Sequence, residues 1–179
     1  MLQDIERILI SEEALQARIK ELGAQLAEEY RGKNPIFVGI LKGVILFFAD
    51  MIRATPIPSQ IDLMVTSSYG SGTESSGSVV IKKDVGLDLE NRHVIILEDI
   101  IDSGLTLSYV KKHLLARNPA SLKICTLLDK PARRRVALTP DYCGFVIEDA
   151  FVVGYGLDYD EVYRNLPDIG VLKKEIYAD

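Results

Sequence analysis

The spacing of apolar residues in the first third of the chain predicts a helix, a strand and a second helix. Ser11 can cap a helix whose first turn is acidic, and apolar residues then recur at steps of four, three and four, as on one face of a helix. These residues are Leu15, Ile19, Leu22 and Leu26. The segment 36–41, IFVGIL, is apolar without alternation, which is typical of a strand buried on both faces. The segment 44–53, VILFFADMIR, is apolar nearly all round, so we expect a helix that packs on the sheet and also on a subunit interface.

The pattern continues with strands and one further helix. Residues 61–68 and 79–84 are predicted strands, and the small, polar tract 69–78 between them predicts a mobile loop. Next come a buried strand at 94–97, a helix that stops by Asn118 because Pro119 follows, and a strand at 123–128. This order favours an α/β fold with a central, mainly parallel sheet flanked by helices. We expect one domain over 1–179, with a core at about 30–145 and a small cap at about 146–179.

Composition and charge narrow the classes of protein. The chain has 21 Lys and Arg against 26 Asp and Glu, a net charge of −5, which disfavours a nucleic-acid partner because phosphate binding needs a basic surface. The apolar run 44–49 is far short of the roughly 20 residues of a membrane span. The opening MLQDIERILI does not have the pattern of a signal peptide. We therefore expect a cytoplasmic protein without membrane contact, in which Cys125 and Cys143 stay reduced.

The stretch 94–107, VIILEDIIDSGLTL, joins a buried strand directly to acids and hydroxyls. If the strand stays extended, Glu98 and Asp99 point to opposite sides and do not form a close pair that shares a proton. Two acids at a strand end can accept hydrogen bonds from ribose hydroxyls or face Mg²⁺ through water. The following DSGLT, with its run of backbone N–H groups, can hold a monophosphate, although a capped helix start explains that pentapeptide equally well. The acid pair beside it favours a ribose-5-phosphate site.

Other nucleotide and hydrolase motifs are missing from the sequence. There is no GxxxxGK[ST], so the loop that holds a triphosphate is absent, and Gly70, Gly72 and Gly77 do not have dinucleotide spacing. There is also no GxSxG, so Ser103 is not expected to be an esterase nucleophile.

The segment LEDIIDSGLTL resembles the phosphoribosyl-diphosphate-binding signature of the purine phosphoribosyltransferases. The whole chain is similar to the bacterial hypoxanthine-guanine phosphoribosyltransferases, within the purine/pyrimidine phosphoribosyltransferase family. The other matching segments are LKG at 41–43, SSYGSG at 67–72, LLDKPARR at 127–134 and FVVGYGLDYDEVYRNLPDIGVL at 151–172. Several motifs in the right order make this resemblance specific.

The resemblance implies a type I phosphoribosyltransferase-like fold, with a hood built from terminal segments. It implies transfer of a 5-phosphoribosyl group from 5-phosphoribosyl 1-diphosphate to hypoxanthine or guanine, with Mg²⁺ as cofactor and a homodimer or homotetramer as the assembly. Two alternatives stay open. One is a regulator on the same fold that senses phosphoribosyl diphosphate without catalysis, and the other is a phosphoacceptor signalling domain with Mg²⁺ held by acids at strand ends.

The resemblance also implies a role for each matching residue. Asp102 is the expected catalytic proton acceptor, facing N7 of the purine. The residues expected at the ribose and Mg²⁺ are Glu98 and Asp99, joined at the metal by Asp158. Those expected at the 5′-phosphate are Asp102, Ser103, Gly104, Leu105 and Thr106. Those expected at the pyrophosphate are Lys42, Gly43 and Arg164. Those expected at the purine are Lys130, Phe151, Val152 and Asp158, while Ser68 and Tyr69 begin a flexible lid.

Some positions depart from relatives or receive no role. Leu105 and Ala150 stand where some relatives have lysine. The arginines at 133–135 are interpreted as a solvated basic turn, and His93 and His113 as structural or surface residues. Relatives often have a non-proline cis peptide in the LKG segment, which the sequence alone does not predict.

Overall fold

A computed structural model describes residues 1–68 and 79–178. The helices are α1 (Glu12–Glu29), α2 (Ile45–Ala54), α3 (Leu105–Leu115) and α4 (Lys174–Tyr177), with short 3₁₀ turns at Leu2–Asp4 and Pro131–Arg133. The strands are β1 (Ile5–Ile10), β2 (Ile36–Leu41), β3 (Gln60–Ser68), β4 (Val79–Lys83), β5 (His93–Ile101), β6 (Ser121–Asp129), β7 (Tyr142–Val146), β8 (Val152–Val153) and β9 (Ile169–Leu172).

A six-stranded sheet in the order β4-β3-β2-β5-β6-β7 forms the centre of the molecule. Only β4 is antiparallel to its neighbour; the pairs β3–β2, β2–β5, β5–β6 and β6–β7 are parallel. The predicted α/β fold with a mainly parallel sheet is confirmed. The carboxyl ends of β2 and β5 lie side by side at one edge, which is where ligands bind in sheets of this kind.

Helices cover both faces of this sheet, so its central strands are buried on both sides. In β2, Phe37 packs with α1 and α2, whereas Ile36 and Val38 pack with α3 on the opposite face. This two-sided burial explains why β2 is apolar without alternation. Helix α1 begins as predicted, since the Ser11 hydroxyl accepts a hydrogen bond from Ala14 N at 3.3 Å.

Helix α2 buries only part of its apolar surface within the chain. Phe47, Phe48 and Met51 are buried in the core. Ile45 and Leu46, in the first turn, remain 42% and 37% exposed. The interpretation of α2 as apolar on more than one face is therefore consistent with the packing.

A second, three-stranded antiparallel sheet in the order β1-β9-β8 forms a hood beside the central sheet. The sequence predicted no strand at 5–10, because β1 is defined by pairing with β9 more than 150 residues away rather than by a local pattern. Strand β5 is also longer than the predicted 94–97, since its pairing with β6 continues to Ile101. The acid pair thus lies within the strand rather than after it.

The structure also bears on the cysteines and on the possibility of a membrane-spanning helix. Cys125 is buried, Cys143 is half-buried, and both are free thiols. Over the described ranges 1–68 and 79–178, the structure has no helix with the length and hydropathy of a membrane span.

Candidate active site

Two adjoining cavities lie at the carboxyl ends of β2 and β5. The loop cavity has a volume of about 270 Å³ and is lined by residues 40–43, Thr66, 98–104, Thr106 and Leu107. The hood cavity has a volume of about 290 Å³ and is lined by Asp99, Ile100, Asp102, Lys130, Arg133, Ala150, Phe151, Val152, Leu157 and Asp158. Asp99, Ile100 and Asp102 line both, so the two cavities meet at the acidic end of β5.

The turn that follows β5 forms one wall of the loop cavity. Asp102 and Ser103 leave the strand, and Gly104 turns the chain into α3 with a φ of 79°, a conformation that favours glycine. A side chain at Gly104 would also approach Arg134 and Val136 at 3.0 Å. Of the five residues predicted at the 5′-phosphate, all except Leu105 line the loop cavity. The loop cavity therefore lies beside the start of α3, where helix N–H groups favour an anion; of these, Leu105 N donates to Ser103 Oγ at 3.3 Å.

Asp102 occupies the boundary between the two cavities. Its Oδ1 atom is buried and has no hydrogen-bond partner within residues 1–68 and 79–178. A buried carboxylate oxygen without a partner is costly, and in native proteins such an atom usually has a functional reason. Asp102 is therefore a candidate for contact with a donor group of a ligand.

Glu98 and Asp99 lie closer together than the sequence predicted. Their carboxyl groups are within hydrogen-bonding reach, and burial together with the neighbouring charge of Asp99 raises the pKa of Glu98 well above its ordinary value. Burial also raises the pKa of Asp99, although hydrogen bonds from Glu98 and Ile100 N act in the opposite direction. The prediction that the two acids point apart was wrong, because alternation along a strand fixes the Cα–Cβ directions but not the rotatable bonds beyond them.

The loop after β2 contacts this acid pair through glycine. A Cβ atom on Gly43 would lie 1.7 Å from Asp99 Oδ2, so only glycine allows the two segments to approach this closely. On its other side the carbonyl of Gly43 touches Gly156, where a Cβ would lie 2.1 Å from that oxygen. The peptide bond Leu41–Lys42 is cis.

The two cations predicted at the pyrophosphate share one carboxylate. Lys42 Nζ donates to Glu161 at 2.9 Å, and Arg164 lies 3.4 Å from the other oxygen of Glu161. Arg164 also pairs with Asp158 at 2.9 Å and donates to Gly156 O at 2.8 Å. Lys42 lines the loop cavity, whereas Arg164 lies behind Asp158 and lines neither cavity.

The four residues predicted at the purine all line the hood cavity. The Lys130 side chain is only 7% exposed; its Nζ donates to Ala150 O at 2.9 Å and lies 4.0 Å from Asp149. Phe151 is 36% exposed, which is high for an aromatic ring, and Val152 is buried in β8. The cavity thus combines an aromatic face, a buried ammonium group and a carboxylate on Asp158.

Arg134 is not part of a solvated basic turn, and that interpretation was wrong for this residue. Its side chain is 15% exposed and pairs with Asp129, which is 13% exposed. Its Nε donates to Asp102 O at 3.1 Å, and it also donates to Leu138 O. Neighbouring Arg133 is 58% exposed, as expected for a surface residue, although it lines the rim of the hood cavity. Three consecutive arginines look alike in sequence, so only the fold distinguishes the one that holds the turn at Asp102.

Of the remaining residues named from the sequence, those that the structure describes line neither cavity. Ser68 is the last residue of β3, and Tyr69 lies outside the described residues. His93 contacts Ser121, and His113 contacts Asp84, both away from the cavities. Within 1–68 and 79–178, no group of three or more His, Cys, Asp or Glu side chains is arranged to hold a metal ion unaided.

Comparison with known proteins agrees with this geometry. The family described as phosphoribosyl transferase domain matches residues 6–160. The hypoxanthine-guanine phosphoribosyltransferase of Bacillus subtilis is 52% identical over 177 residues, 99% of this chain and 98% of that protein. The bifunctional protein TilS/HprT of Listeria innocua is 54% identical over 179 residues, and this chain spans 28% of its length.

A solved structure extends the agreement to the fold. The hypoxanthine phosphoribosyltransferase of Staphylococcus aureus superposes with a TM-score of 0.96 at 50% identity, covering 100% of this chain and 97% of that one. The expected type I phosphoribosyltransferase-like fold is confirmed by this match. Sequence motifs, fold and full-length relatives lead to the same conclusion: the chain belongs to the phosphoribosyltransferase family.

Proposed function

We propose that this protein transfers the 5-phosphoribosyl group from 5-phosphoribosyl 1-diphosphate to hypoxanthine or guanine, releasing pyrophosphate. The observation that carries the proposal is the pair of adjoining cavities, which meet at Asp99 and Asp102. One suits a sugar phosphate and the other a planar base, so the sugar carbon and the ring nitrogen that must react would meet between them. Relatives of full length that carry the name hypoxanthine-guanine phosphoribosyltransferase support it.

Asp102 is the proposed proton acceptor for the purine. A free base carries a proton on its imidazole ring that must be bound or displaced as the new bond to the sugar forms. The unpartnered Oδ1 of Asp102, at the boundary of the cavities, supports an interaction with N7 of the base. A carboxylate there also stabilises the positive charge that develops on the sugar carbon as pyrophosphate leaves.

Two groups of residues near Asp102 are proposed to hold phosphoribosyl diphosphate, one at its 5′-phosphate and one at its pyrophosphate. Ser103, Gly104, Thr106 and the first amides of α3, including that of Leu105, are proposed at the 5′-phosphate, because N–H groups at a helix start favour an anion. Lys42, Gly43 and Arg164 are proposed at the pyrophosphate. The contact of Lys42 and Arg164 with one carboxylate, Glu161, supports the view that both can reach a single anion.

Mg²⁺ is the proposed cofactor, with Glu98, Asp99 and Asp158 as its protein ligands, directly or through water. The donor set fits, because Mg²⁺ is usually bound by one or two carboxylates together with waters and substrate phosphate oxygens. The raised pKa of Glu98 beside Asp99 also supports a place where a cation would be favoured. When bound, the ion would neutralise charge on the departing pyrophosphate. Removal of Mg²⁺ with a chelator should abolish nucleotide formation.

Lys130, Phe151 and Val152 are proposed to select and hold the base. The buried ammonium group of Lys130 can donate to the exocyclic O6 of a 6-oxopurine, whereas the amino group of adenine would face it as a second donor. Phe151 offers an exposed ring for stacking, and Val152 offers backbone groups to the edge of the base. Asp158 is also proposed at the purine, because it lines the hood cavity.

The decisive test is incubation of the purified protein with phosphoribosyl diphosphate, Mg²⁺ and a panel of free bases. Formation of inosine or guanosine monophosphate together with pyrophosphate is the expected result, with adenine as the unreactive control. A regulator that senses phosphoribosyl diphosphate would bind it and release no pyrophosphate, which would contradict the proposal. The presence of Asp102, Lys130 and Arg164, to which the resemblance gives roles at the purine and the pyrophosphate, favours the enzyme over that alternative.

We also propose a homodimer or homotetramer in the cytoplasm. The exposed Ile45 and Leu46 on α2 support an interface there, since adjacent exposed aliphatic side chains gain from burial. Light scattering of the wild type against Ile45→Asp tests this assembly. A monomeric wild type would contradict it.

A further inference from the structure

The ring of Phe151 packs against two tyrosines from different parts of the chain. Tyr177, in α4, stacks on it with ring centroids 4.6 Å apart and an angle of 21° between the planes. Tyr159 meets it edge-on, with centroids 5.6 Å apart and an angle of 87°. We refer to Phe151, Tyr159 and Tyr177 as the aromatic platform.

The stack with Tyr177 occupies one face of the Phe151 ring. Phe151 lines that cavity, whereas neither Tyr159 nor Tyr177 does. A ring has two faces and Tyr177 covers one of them, so a base that stacks on Phe151 must use the other face. A base bound in the cavity would therefore form the outer layer of a three-ring stack, with Tyr177 as the layer on the far side.

Backbone hydrogen bonds set the position of Tyr177 relative to Phe151. Leu172 N, at the end of β9, donates to the carbonyl of Phe151 itself at 2.9 Å, and Lys173 N donates to Asp4 O at 2.9 Å. The chain then turns through α4 and returns to the Phe151 ring. Tyr177 also packs against the buried apolar cluster of the hood, which includes Val153, Leu166 and Leu172.

The Phe151 side chain is exposed enough that a neighbouring ring is needed to restrict its rotation. The residue precedes β8 directly, and an aromatic side chain at 36% exposure is free to rotate about χ1 and χ2 unless its neighbours restrict it. Binding a base to a mobile ring would cost the free energy of ordering that ring. A stacked tyrosine removes this cost before the base arrives, because it fixes the rotamer in the ligand-free protein.

We infer that Tyr177 is a positioning residue for the purine: it acts through Phe151 and holds that ring in the orientation that stacks on the base. This inference rests on the proposed function. Tyr177 does not line the hood cavity and packs on Phe151, so its effect should fall on recognition of the base and not on the sugar phosphate or the pyrophosphate.

The test compares Tyr177→Leu with Tyr177→Phe and with the wild type. Tyr177→Leu keeps apolar bulk and removes the stack, and Tyr177→Phe keeps the stack and removes only the hydroxyl group. Ile176→Ala, on the same short helix, is the matched control for a general disturbance of the hood. The readouts are KM for the base, KM for phosphoribosyl diphosphate, and the Kd values of inosine monophosphate and ribose 5-phosphate.

For Tyr177→Leu we expect KM for the base and Kd for inosine monophosphate to rise about three- to tenfold, the range that a lost aromatic pair implies. KM for phosphoribosyl diphosphate and Kd for ribose 5-phosphate should stay within about twofold of the wild-type values, and Tyr177→Phe should match the wild type. Equal weakening of inosine monophosphate and ribose 5-phosphate, or wild-type binding of both, would overturn the inference alone. A wild-type protein that forms no nucleotide would overturn the proposed function, and the inference with it.

Discussion

Asp62 and Asp102 both lie beside loops, and they differ in whether their carboxylate oxygens have hydrogen-bond donors within the protein. Asp62, in β3, has both oxygens occupied: Oδ1 accepts from Leu63 N and Lys83 Nζ, and Oδ2 accepts from Gly86 N and Leu87 N, at 2.8 to 3.3 Å. Asp102, after β5, has a buried oxygen without any partner in the described part of the chain. The two side chains are chemically identical, but the hydrogen-bonding capacity of Asp62 is filled and that of Asp102 is not.

The difference indicates that Asp62 supports the fold, whereas Asp102 has an oxygen available to a ligand. Asp62 ties the loop 84–88 to the sheet, and all its hydrogen-bonding capacity is used inside the protein. At Asp102 the backbone is held, by Arg134, while the side chain stays available. A rigid main chain that carries an unsatisfied buried acceptor is the arrangement expected where a ligand supplies the missing donor.

The strongest test of this contrast is Asp102→Asn. Because Oδ1 has no partner to lose, we expect the free energy of unfolding to change by less than about 1 kcal/mol. Turnover should fall at least about 100-fold, the lower end of what a general base contributes. Steady-state kinetics and thermal unfolding of the same preparation check both expectations. Wild-type turnover, or a large loss of stability, would contradict the role given to Asp102.

A second test removes the support behind Asp102. In Arg134→Met, Asp129 is left as a mostly buried, unpaired carboxylate, so we expect the protein to lose about 3 kcal/mol of stability. Arg133→Met is the matched control, because its ion pair with Asp149 is exposed at 58% and 45%, and such pairs are worth about 0–1 kcal/mol. Denaturant unfolding of both variants gives the comparison. Equal stability losses would mean that the burial of Arg134 has no energetic consequence.

The sequence pointed to the stretch that contains Asp102, whereas it did not predict the contacts that support this stretch. The stretch 94–107 contains strand, acids, glycine and helix start in order, so local rules predict a ligand site there, and the family resemblance adds the role of Asp102. Arg134 was interpreted as part of a solvated basic turn and Tyr177 received no role, since the contacts concerned join residues some 25 to 35 positions apart. Strand β1 was missed for the same reason. Local patterns predict elements and their ends, whereas support between distant segments depends on the packed fold.

The structural side of the contrast is tested by Asp62→Asn. An amide cannot accept from all four donors that now converge on the two carboxylate oxygens, and the charge-assisted bonds are lost. We expect a stability loss of about 2 kcal/mol, the usual worth of hydrogen bonds to a charged group. Turnover at a temperature where both proteins are folded should be unchanged, because Asp62 lines neither cavity. Reduced turnover without reduced stability would invalidate the assignment of Asp62 as purely structural.

The smallest expected effect is the pH dependence of that stability loss. Burial raises the pKa of Asp62, but the hydrogen bonds from Lys83 and from the amides of Leu63, Gly86 and Leu87 outweigh it, so the folded-state pKa lies below the ordinary 3.8. A carboxyl group with a lowered pKa stabilises the fold fully above its unfolded-state pKa and loses that contribution as the pH falls through the folded-state pKa. The gap in unfolding free energy between the wild type and Asp62→Asn should thus be constant from neutral pH to about pH 5 and should narrow toward about pH 3. Urea unfolding at these pH values measures the gap, and a gap that widens in acid would show that the hydrogen bonds at Asp62 do not favour its charged form.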